Sequence, residues 1–453
     1  TDMSILSVKP RSAHPQRRKI SSSTQTSHTG GRCSQPDGKR ERGRRAGAAA
    51  GGALGTYTKS PAASVMARRV ERFALQSVAR DILPKSRTAF CLRSRIKGGE
   101  GVGVWRSTQH QTAHYSGLIV CGSVWTCPVC AAKISERRRL ELQAAISQHR
   151  ESGGDAYLLT LTTPHGRRDD LAQLLAMQAK ALASFTAQRA VKAVFAEMGE
   201  IGRVRAFEVT HGRKGTNNGW HPHYHFLQFA KGGADAAQLM DWRTRLYLEW
   251  AKCCERAGLG TPSFQHGLDL QDGSKADKYL SKWGLECEMT KGHIKQAKAG
   301  GETPFDLLRA VLADKSDRQA AALFSEFGRV FKGKRQLSWS RGLRARFDLV
   351  EKTDEEIAQE HTEGAELLGL ISVDEWRDVL RVQARGVVLE LAAAGGWSAV
   401  ARFLWFIRGA AQGVAIDAAM VQEARVLILG IYGPSPEIET FVPQKTGGLP
   451  ILQ

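Results

Sequence analysis

The chain has 453 residues, and its 65 lysines and arginines exceed its 45 aspartates and glutamates, which gives a net charge of +20. This length provides for two or three domains with cores of their own, so the chain needs no disulfides to fold. The positive charge favours a polyanionic partner, either nucleic acid or a membrane surface. Neither a run of about 18 apolar residues nor an apolar signal core is evident, so we expect a cytoplasmic protein without a membrane span.

The first part of the chain is rich in Ser, Gly, Pro, Ala and basic residues. Such a segment buries too little apolar surface to offset the entropy of ordering it. We therefore predict a disordered basic arm over residues 1–63, which either contacts DNA loosely or has no role. The chain opens with Thr1, and Met3 and Met66 are both candidate start residues.

Apolar residues at helical spacing predict a first helix from about Ser64 to Pro84. A Gly- and Cys-rich segment follows over 85–131. The patterns then predict a helix over 131–149, a strand over 157–163, a helix over 169–198, strands over 204–210 and 221–229, and helices over 234–256 and 274–284. From residue 303 they predict helices over 304–313, 317–331, 354–361, 373–394, 397–411 and 416–429. Strands and helices in this order are typical of an α+β domain with an antiparallel sheet.

Three histidines alternate along the predicted strand 221–229, at His221, His223 and His225. Residues two apart on a strand point to one face, about 7 Å apart at Cα. His223 and His225 can therefore converge on one divalent cation, with His221 one step further out. Tyr224 should pack into the core on the opposite face. The alternative is a polar rim of structural histidines.

The neighbouring predicted strand carries an acidic residue, Glu208, among apolar ones. A carboxylate in such a place is costly unless it is exposed or paired. Histidine with carboxylate suits Mn²⁺, Mg²⁺ or similar ions that polarise a phosphate. Glu208 is thus a candidate ligand, and the alternative is a strand residue that faces solvent.

The predicted helix 274–284 carries Lys275, Tyr279 and Lys282 at the spacing of one helical face. Neighbouring cations favour the phenolate form of tyrosine, which is the nucleophile in covalent phosphoryl transfer. A tyrosine on a helix is more often a packing residue. This feature therefore gains weight only in combination with the histidine strand.

Three motifs occur in an order that resembles the HUH endonucleases. They are Leu158-Leu159-Thr160-Leu161-Thr162-Thr163, His221-Pro222-His223-Tyr224-His225 and Tyr279-Leu280-Ser281-Lys282. The chain is most similar to plasmid rolling-circle replication initiator (Rep) proteins, over roughly residues 86–346, and the similarity also takes in 121–134, 303–308 and 339–344. The resemblance implies an α+β fold with an antiparallel-sheet HUH endonuclease core.

The resemblance also implies roles for individual residues. His223 and His225 would be metal ligands, with Glu208 or His221 as a third, and the cofactor would be Mn²⁺ or Mg²⁺. Tyr279 would be the nucleophile, and Lys282 would orient the phosphate or help to set the ionisation of the tyrosine. The implied reaction nicks single-stranded or extruded DNA, keeps a 5′-phosphotyrosine, releases a 3′-hydroxyl primer and can be reversed to rejoin strands.

The chain departs from some relatives at the step that ends replication. These relatives carry a glutamate one helical turn before the tyrosine, where it activates water for the terminating cleavage, whereas this chain has Lys275. A second tyrosine one turn further along is also missing from the sequence. The nicking half of the reaction is therefore better supported than the terminating half.

Four cysteines have the spacing of a metal site. Cys127 and Cys130 form a Cys-x2-Cys step, which is the minimal chelating unit for tetrahedral zinc, and Cys121 and Cys91 lie upstream. Four thiolates would close a structural Zn²⁺ site, with His114 as an alternative fourth ligand. Reduced cysteines packed in a core are the alternative without metal.

Two basic stretches are candidates for DNA contact. The helix after the cysteines carries Arg137, Arg138 and Arg139, which suit the DNA backbone. Residues 329–346 contain no acidic residue, and their cations alternate with Phe331 and Trp339, a composition suited to phosphates and stacked bases. A solvated basic surface is the alternative for this stretch, whose candidate DNA-binding residues are Lys332, Lys334, Arg335, Arg341 and Arg344.

The sequence thus predicts five regions. They are the basic arm (1–63), a Cys-rich, zinc-ribbon-like module with a basic helix (64–150), the HUH catalytic domain (151–300), a basic DNA-contact segment (301–350) and a helical C-terminal domain (351–453). We expect an initiator of plasmid replication whose partners are origin DNA and the host helicase and polymerase. Alternatives are a transposase or mobilisation relaxase of the same chemistry, and a zinc-containing DNA-binding regulator without catalysis.

Overall fold

The computed structural model describes residues 62–215, 217–272, 301–361 and 364–411. The predicted arm lies outside the described residues, apart from its last two positions. The predicted helices 274–284 and 416–429 also lie outside them, and with the first of these Lys275, Tyr279 and Lys282.

The elements fall into two sheets and the helices around them. The strands are β1 (Val102–Ser107), β2 (Thr112–Ser116), β3 (Asp155–Thr162), β4 (Glu200–His211), β5 (Trp220–Ala230), β6 (Leu268–Asp272), β7 (Leu337–Trp339) and β8 (Glu366–Ile371). The helices are α1 (Ala62–Ile82), α2 (Pro128–Glu151), α3 (Leu171–Ala187), α4 (Arg189–Glu197), α5 (Ala236–Ala257), α6 (Pro304–Ala313), α7 (Arg318–Val330), α8 (Leu343–Arg346), α9 (Asp354–Gln359), α10 (Val373–Arg381) and α11 (Arg385–Ala411).

Several boundaries differ from the sequence prediction for local reasons. Helix α2 begins at Pro128 rather than at 131, because proline suits the first helical position and Cys127 caps the helix. The predicted helix 169–198 is two helices, since Gln188 between α3 and α4 is extended, with φ −60° and ψ 136°. Neither glycine nor proline marks that break. Strands β1, β2, β6, β7 and β8 were missed because they are short.

The larger sheet has five strands in the order β6-β3-β5-β4-β7, and all of its pairs are antiparallel. It confirms the predicted antiparallel sheet and places the histidine strand β5 at its centre. Tyr224 on β5 is 6% exposed on the face that packs against α3, α5 and α7, as predicted.

The other face of this sheet is covered over only part of its length. Leu142, Ala145 and Ile146 of α2 pack against Leu158, Leu227 and their neighbours. Continuing along β3 and β5, the same face carries Thr160, His223 and His225. Hydrophobic packing thus ends where the polar side chains begin.

The smaller sheet has the order β2-β1-β8 and joins parts of the chain that are far apart in sequence. Val102 of β1 pairs with Ile371 of β8, so residues after 351 complete a sheet that begins in the Cys-rich region. The region predicted as a helical C-terminal domain therefore also contributes a strand, Glu366–Ile371, where an apolar run pairs at the edge of the sheet.

Helix α11 is more apolar than the sequence analysis anticipated. Its segment Arg385–Gly409 is long and apolar enough to cross a membrane, but 61% of its most apolar window is buried inside the fold. The helix is also broken at Gly396, with φ 65° and ψ −157°, at the Gly-Gly pair that separates the two predicted helices. Burial and the break fit a core helix.

Candidate functional site

Two clusters of potential metal ligands lie in the described parts of the chain. One consists of Glu208, His223 and His225, and the other of Cys91, Cys121, Cys127 and Cys130. We call them the histidine–glutamate cluster and the cysteine cluster. Within each, the ligand atoms lie within 4.8 Å of one another.

The strand register assembles the histidine–glutamate cluster. His223 on β5 lies directly opposite Glu208 on β4 and opposite Thr162 on β3. Opposed residues of an antiparallel pair share one face, and His225 is two residues along the same strand. A single ladder register therefore brings the carboxylate to both imidazoles.

The distances show that the three side chains converge. The Nε2 atoms of His223 and His225 each lie 3.3 Å from the Oε2 atom of Glu208. The side chains of His223 and Glu208 are each 14% exposed and that of His225 is 7% exposed. The cluster is therefore largely desolvated but still accessible from one side.

Each histidine holds its other ring nitrogen away from the cluster. The Nδ1 atom of His225 lies 3.0 Å from the hydroxyl oxygen of Thr160, and the Nδ1 atom of His223 lies 3.4 Å from the carbonyl oxygen of His221. A partner at Nδ1 sets the ring orientation and leaves the Nε2 lone pair for a metal. Two imidazoles and a carboxylate in this arrangement fit a divalent cation of the Mn²⁺ or Mg²⁺ type.

His221 lies beside the cluster rather than in it. Its ring centroid is 5.2 Å from that of His223, and it stacks on His165 at 4.5 Å. Burial, followed by the nearby His223, lowers the pKa of His221 to about 3, so the ring is neutral at physiological pH. Of the two candidates for a third ligand, the geometry thus brings Glu208 to the histidines.

The four cysteines form a closed cluster with the dimensions of a tetrahedral site. Their side chains are at most 3% exposed. The Sγ atom of Cys91 lies 3.5 Å from that of Cys130 and 3.8 Å from that of Cys127, and those of Cys121 and Cys130 are 3.7 Å apart. A zinc tetrathiolate with bonds of about 2.3 Å has sulfur–sulfur edges of roughly 3.8 Å, far longer than a disulfide bond.

Polar groups surround the sulfurs of the cysteine cluster. Backbone amides donate to three of them, from Cys121 to Cys91, from Ser123 to Cys121 and from Cys130 to Cys127. Burial by itself would raise the pKa of the Cys127 thiol, but hydrogen bonds from Cys121 and the other cysteines hold it well below its usual value. Hydrogen bonds with Cys121 and Cys127 instead raise the pKa of the Cys91 and Cys130 thiols. Four buried sulfurs at these separations, three of them with amide donors, fit a structural Zn²⁺ ion.

His114, the alternative fourth ligand, is engaged elsewhere. Its Nε2 atom lies 2.9 Å from the Nδ1 atom of His361, and its ring stacks near Trp105. Cys91 therefore completes the cysteine cluster.

The basic helix residues are paired within the chain. Arg138 is 7% exposed and bonds to Glu141 and Asp354, and Arg139 bonds to Glu136. Arg138 is thus buried in an ion-pair network within the chain and presents little of its guanidinium at the surface, and its contact with DNA stays a prediction. Arg137 is 43% exposed, with Glu141 at 3.7 Å.

The candidate DNA-binding residues of the basic stretch 329–346 differ in their exposure to solvent. The side chains of Lys332, Lys334, Arg335 and Arg341 are exposed. Arg344 instead lies near Glu141 and over the Trp339 ring. Phe331 is fully buried, so the expectation that it stacks on bases is wrong.

Two hydrogen bonds hold the exposed cations near the histidine–glutamate cluster. The indole Nε1 of Trp125 donates to the Lys334 carbonyl at 2.6 Å, and the Phe207 amide donates to the Gln336 carbonyl at 3.0 Å. Phe207 precedes Glu208 on β4. The basic segment is therefore anchored at the sheet edge next to the histidine–glutamate cluster.

The sequence matches a known protein family. The profile of the replication protein family (Rep_1) matches residues 118–380, more than half of the chain. The chain belongs to this family. The resemblance to plasmid replication initiator (Rep) proteins is thereby confirmed, and binding of origin DNA follows from it.

Two curated relatives come from Streptomyces. A protein of Streptomyces lividans named Protein rep is 27% identical over 336 residues, which cover 58% of this chain and 73% of the relative. A neomycin resistance protein of Streptomyces cyanogenus is 32% identical over 151 residues, which cover 28% of this chain and 34% of that relative. No solved structure matches the chain.

Sequence reasoning missed two residues that support these clusters. Thr160 belongs to the first quoted motif, but only the β3–β5 register shows that it faces His225. Gln76 on α1 donates from its Nε2 atom to the sulfur of Cys127 at 3.0 Å, although the two are 51 residues apart. The sequence contains no local signal for the second contact.

Proposed function

We propose that this replication protein initiates rolling-circle plasmid replication by nicking origin DNA with Tyr279 as nucleophile. The observation that carries the proposal is the convergence of His223, His225 and Glu208 on one open face of the sheet. A divalent cation held there would polarise a non-bridging phosphate oxygen and stabilise the charge that develops on it. The protein would act in the cytoplasm with the host helicase and polymerase.

The chain's own groups perform the transfer. The Tyr279 phenolate oxygen attacks phosphorus, and the bond from phosphorus to the 3′-oxygen breaks in line with that attack. The 3′-oxygen takes up a proton to become the primer hydroxyl, while the 5′-phosphate stays on the tyrosine. One phosphodiester bond replaces another, so a 3′-hydroxyl can reverse the step and rejoin the strand. Lys282 would orient the phosphate.

Chain length allows Tyr279 to reach the cluster. Strand β6 ends at Asp272, in line with Tyr157 on β3, and the cluster is a few residues further along the sheet. Six residues lie between Asp272 and Tyr279, and the seven steps from one Cα atom to the next span up to roughly 23 Å when extended. Glu302 bridges to His211 at the far end of β4, beyond the cluster. The segment that contains Tyr279 therefore starts and ends at points of the sheet that lie on opposite sides of the cluster.

The exposed cations extend the same surface. Lys332, Lys334 and Arg335 would bind backbone phosphates on either side of the nick and so position the DNA. Each phosphate that they neutralise releases counterions, which adds to the affinity. Zn²⁺ in the cysteine cluster would act as a structural ion that fixes the start of α2 and the loop carrying Trp125.

The test is to incubate the protein with end-labelled single-stranded origin DNA and Mn²⁺ or Mg²⁺ and to separate the products on denaturing gels. We expect a covalent adduct that requires metal and is lost in Tyr279→Phe. The control Tyr247→Phe should keep the adduct, since Tyr247 lies on α5 and its hydroxyl donates to the Pro262 carbonyl. Tight DNA binding without an adduct under either metal would overturn nicking and favour a non-catalytic regulator.

A further inference from the structure

A buried arginine lies beside the cysteine cluster. Arg385, the first residue of α11, is 1% exposed. Among the described residues it forms no ion pair with a carboxylate. A guanidinium stays charged in proteins, and a buried charge without a counter-charge is strongly destabilising.

The guanidinium is held by neutral acceptors from two other parts of the chain. Its Nη1 atom donates to the Gln76 Oε1 atom at 2.6 Å and to the Leu92 and Cys91 carbonyls at 3.1 and 3.4 Å. Its Nη2 atom donates to the Ser77 hydroxyl at 3.3 Å. These groups order the side chain but supply no negative charge.

Gln76 connects this arginine to a cysteine sulfur. Arginine can only donate hydrogen bonds, so the amide oxygen of Gln76 must face Arg385. The amide nitrogen then faces Cys127, and it donates to the sulfur at 3.0 Å. Both hydrogen bonds therefore point the same way, from Arg385 to Gln76 and from Gln76 to Cys127. A donor at the Cys127 sulfur stabilises the thiolate more than the thiol.

A metal in the cysteine cluster would supply the missing counter-charge. Four thiolates around one divalent ion carry a net charge of −2, and this cluster is as buried as the arginine. Each charge is costly alone, whereas the pair is mutually stabilising in a low dielectric.

We propose that Arg385 is the counter-ion of a metal tetrathiolate at the cysteine cluster, and that this pairing docks α11 onto the N-terminal part of the protein. The backbone supports the docking role, because the Tyr115 hydroxyl of β2 donates to the Arg385 carbonyl at 2.7 Å. One residue thus joins α1, the cysteine loop and the small sheet. The inference rests on the metal proposed for the cysteine cluster and not on nicking.

The first test measures how tightly the full-length protein holds its metal. Zinc is quantified by mass spectrometry, and its transfer to the chromophore 4-(2-pyridylazo)resorcinol is timed. We expect Arg385→Gln to release zinc about 10- to 100-fold faster. Arg385→Lys, which keeps the charge, should release it more slowly than Arg385→Gln. Arg381→Gln is the matched control on α10, where the arginine is 47% exposed and pairs with Asp378, and it should release zinc at the wild-type rate.

Two outcomes would overturn the proposal. Zinc release from Arg385→Gln at the wild-type rate would show that the cation does not stabilise the site. Equal acceleration in Arg385→Gln and Arg385→Lys would show that charge is not the cause.

A second measurement needs no variant and decides the matter if Arg385→Gln does not fold. Hydrogen exchange of the wild-type protein is followed with and without a zinc chelator. We expect amides near the start of α11 to lose protection when zinc is removed, before those of the five-stranded sheet. Unchanged protection of α11 would overturn the docking role. DNA nicking assayed on the same samples separates this failure from a failure of the proposed enzymatic function.

Discussion

The histidine–glutamate cluster and the cysteine cluster lie in one fold but offer a cation opposite surroundings. The first stands on a sheet face that α2 leaves open, and its nitrogen and oxygen ligands suit an ion that exchanges and binds phosphate. The second is enclosed by α1, α2 and the loop between them, and four sulfurs leave no position for a substrate. Burial and ligand chemistry together thus suit the first cluster to the proposed reaction and the second to stability.

The largest effect should come from removing one sulfur of the cysteine cluster. Cys127→Ser removes one of four thiolates, and structural zinc contributes on the order of 10 kcal/mol in small zinc domains. We expect the purified variant to lack zinc and to melt at a much lower temperature, or not to fold, as measured by calorimetry and zinc content. The control Cys254→Ala alters a buried core thiol and should cost about 1–2 kcal/mol. Equal losses in the two variants would contradict a metal at the cysteine cluster.

The open cluster should show the reverse behaviour. His223→Ala removes a ligand from an accessible face, so nicking should fall at least about 100-fold, on the order of 3 kcal/mol of transition-state stabilisation. The melting temperature should change little, because the cluster adds little to the core. Cleavage rates and calorimetry on the same preparation check this, with the exposed His266→Ala as control. A variant that unfolds would instead make the cluster structural.

A smaller effect should follow from loosening one ligand. Thr160→Val removes the hydroxyl that lies 3.0 Å from the Nδ1 atom of His225, and loss of such a partner typically weakens metal binding 10- to 100-fold. Titration calorimetry with Mn²⁺ measures the affinity, and saturating Mn²⁺ should restore most of the nicking rate. Thr112→Val on β2 is the matched control. Unchanged Mn²⁺ affinity would mean that Thr160 does not position the ligand.

The smallest predicted effect is a loss of folding stability at acid pH, and it comes from His114 on β2 of the smaller sheet. Burial, followed by His361 and Lys133, lowers the pKa of His114 to about 4. Between pH 6.5 and 4 the unfolded chain therefore binds a proton that the folded protein does not, and stability falls as pH falls.

Solvent screening reduces this loss to roughly 1–2 kcal/mol. Urea unfolding at pH 7 and pH 5 measures it. His114→Gln should remove that part of the pH dependence, whereas His110→Gln, on the exposed turn of the same hairpin, should keep it. The same pH dependence in both variants would place the acid sensitivity elsewhere.

Much of the histidine–glutamate cluster could be predicted from the chain. Alternation along β5 places His223 and His225 on one face, whatever the rest of the fold. An acid within the apolar strand β4 marks Glu208 as unusual, but the choice between Glu208 and His221 needs the pairing register. That register depends on the packing of whole strands, which local patterns do not contain.

The sequence by itself determined the residue types at the two clusters, the antiparallel sheet and the helices with clear periodicity. These follow from spacing along one segment, where side-chain direction repeats every two or 3.6 residues. Only the tertiary structure decided that β8 pairs with β1, that Arg138 and Phe331 are buried, and that Arg385 lies beside the cysteine cluster. The reason is physical, since these contacts join segments tens to hundreds of residues apart, and the burial of many side chains together selects them.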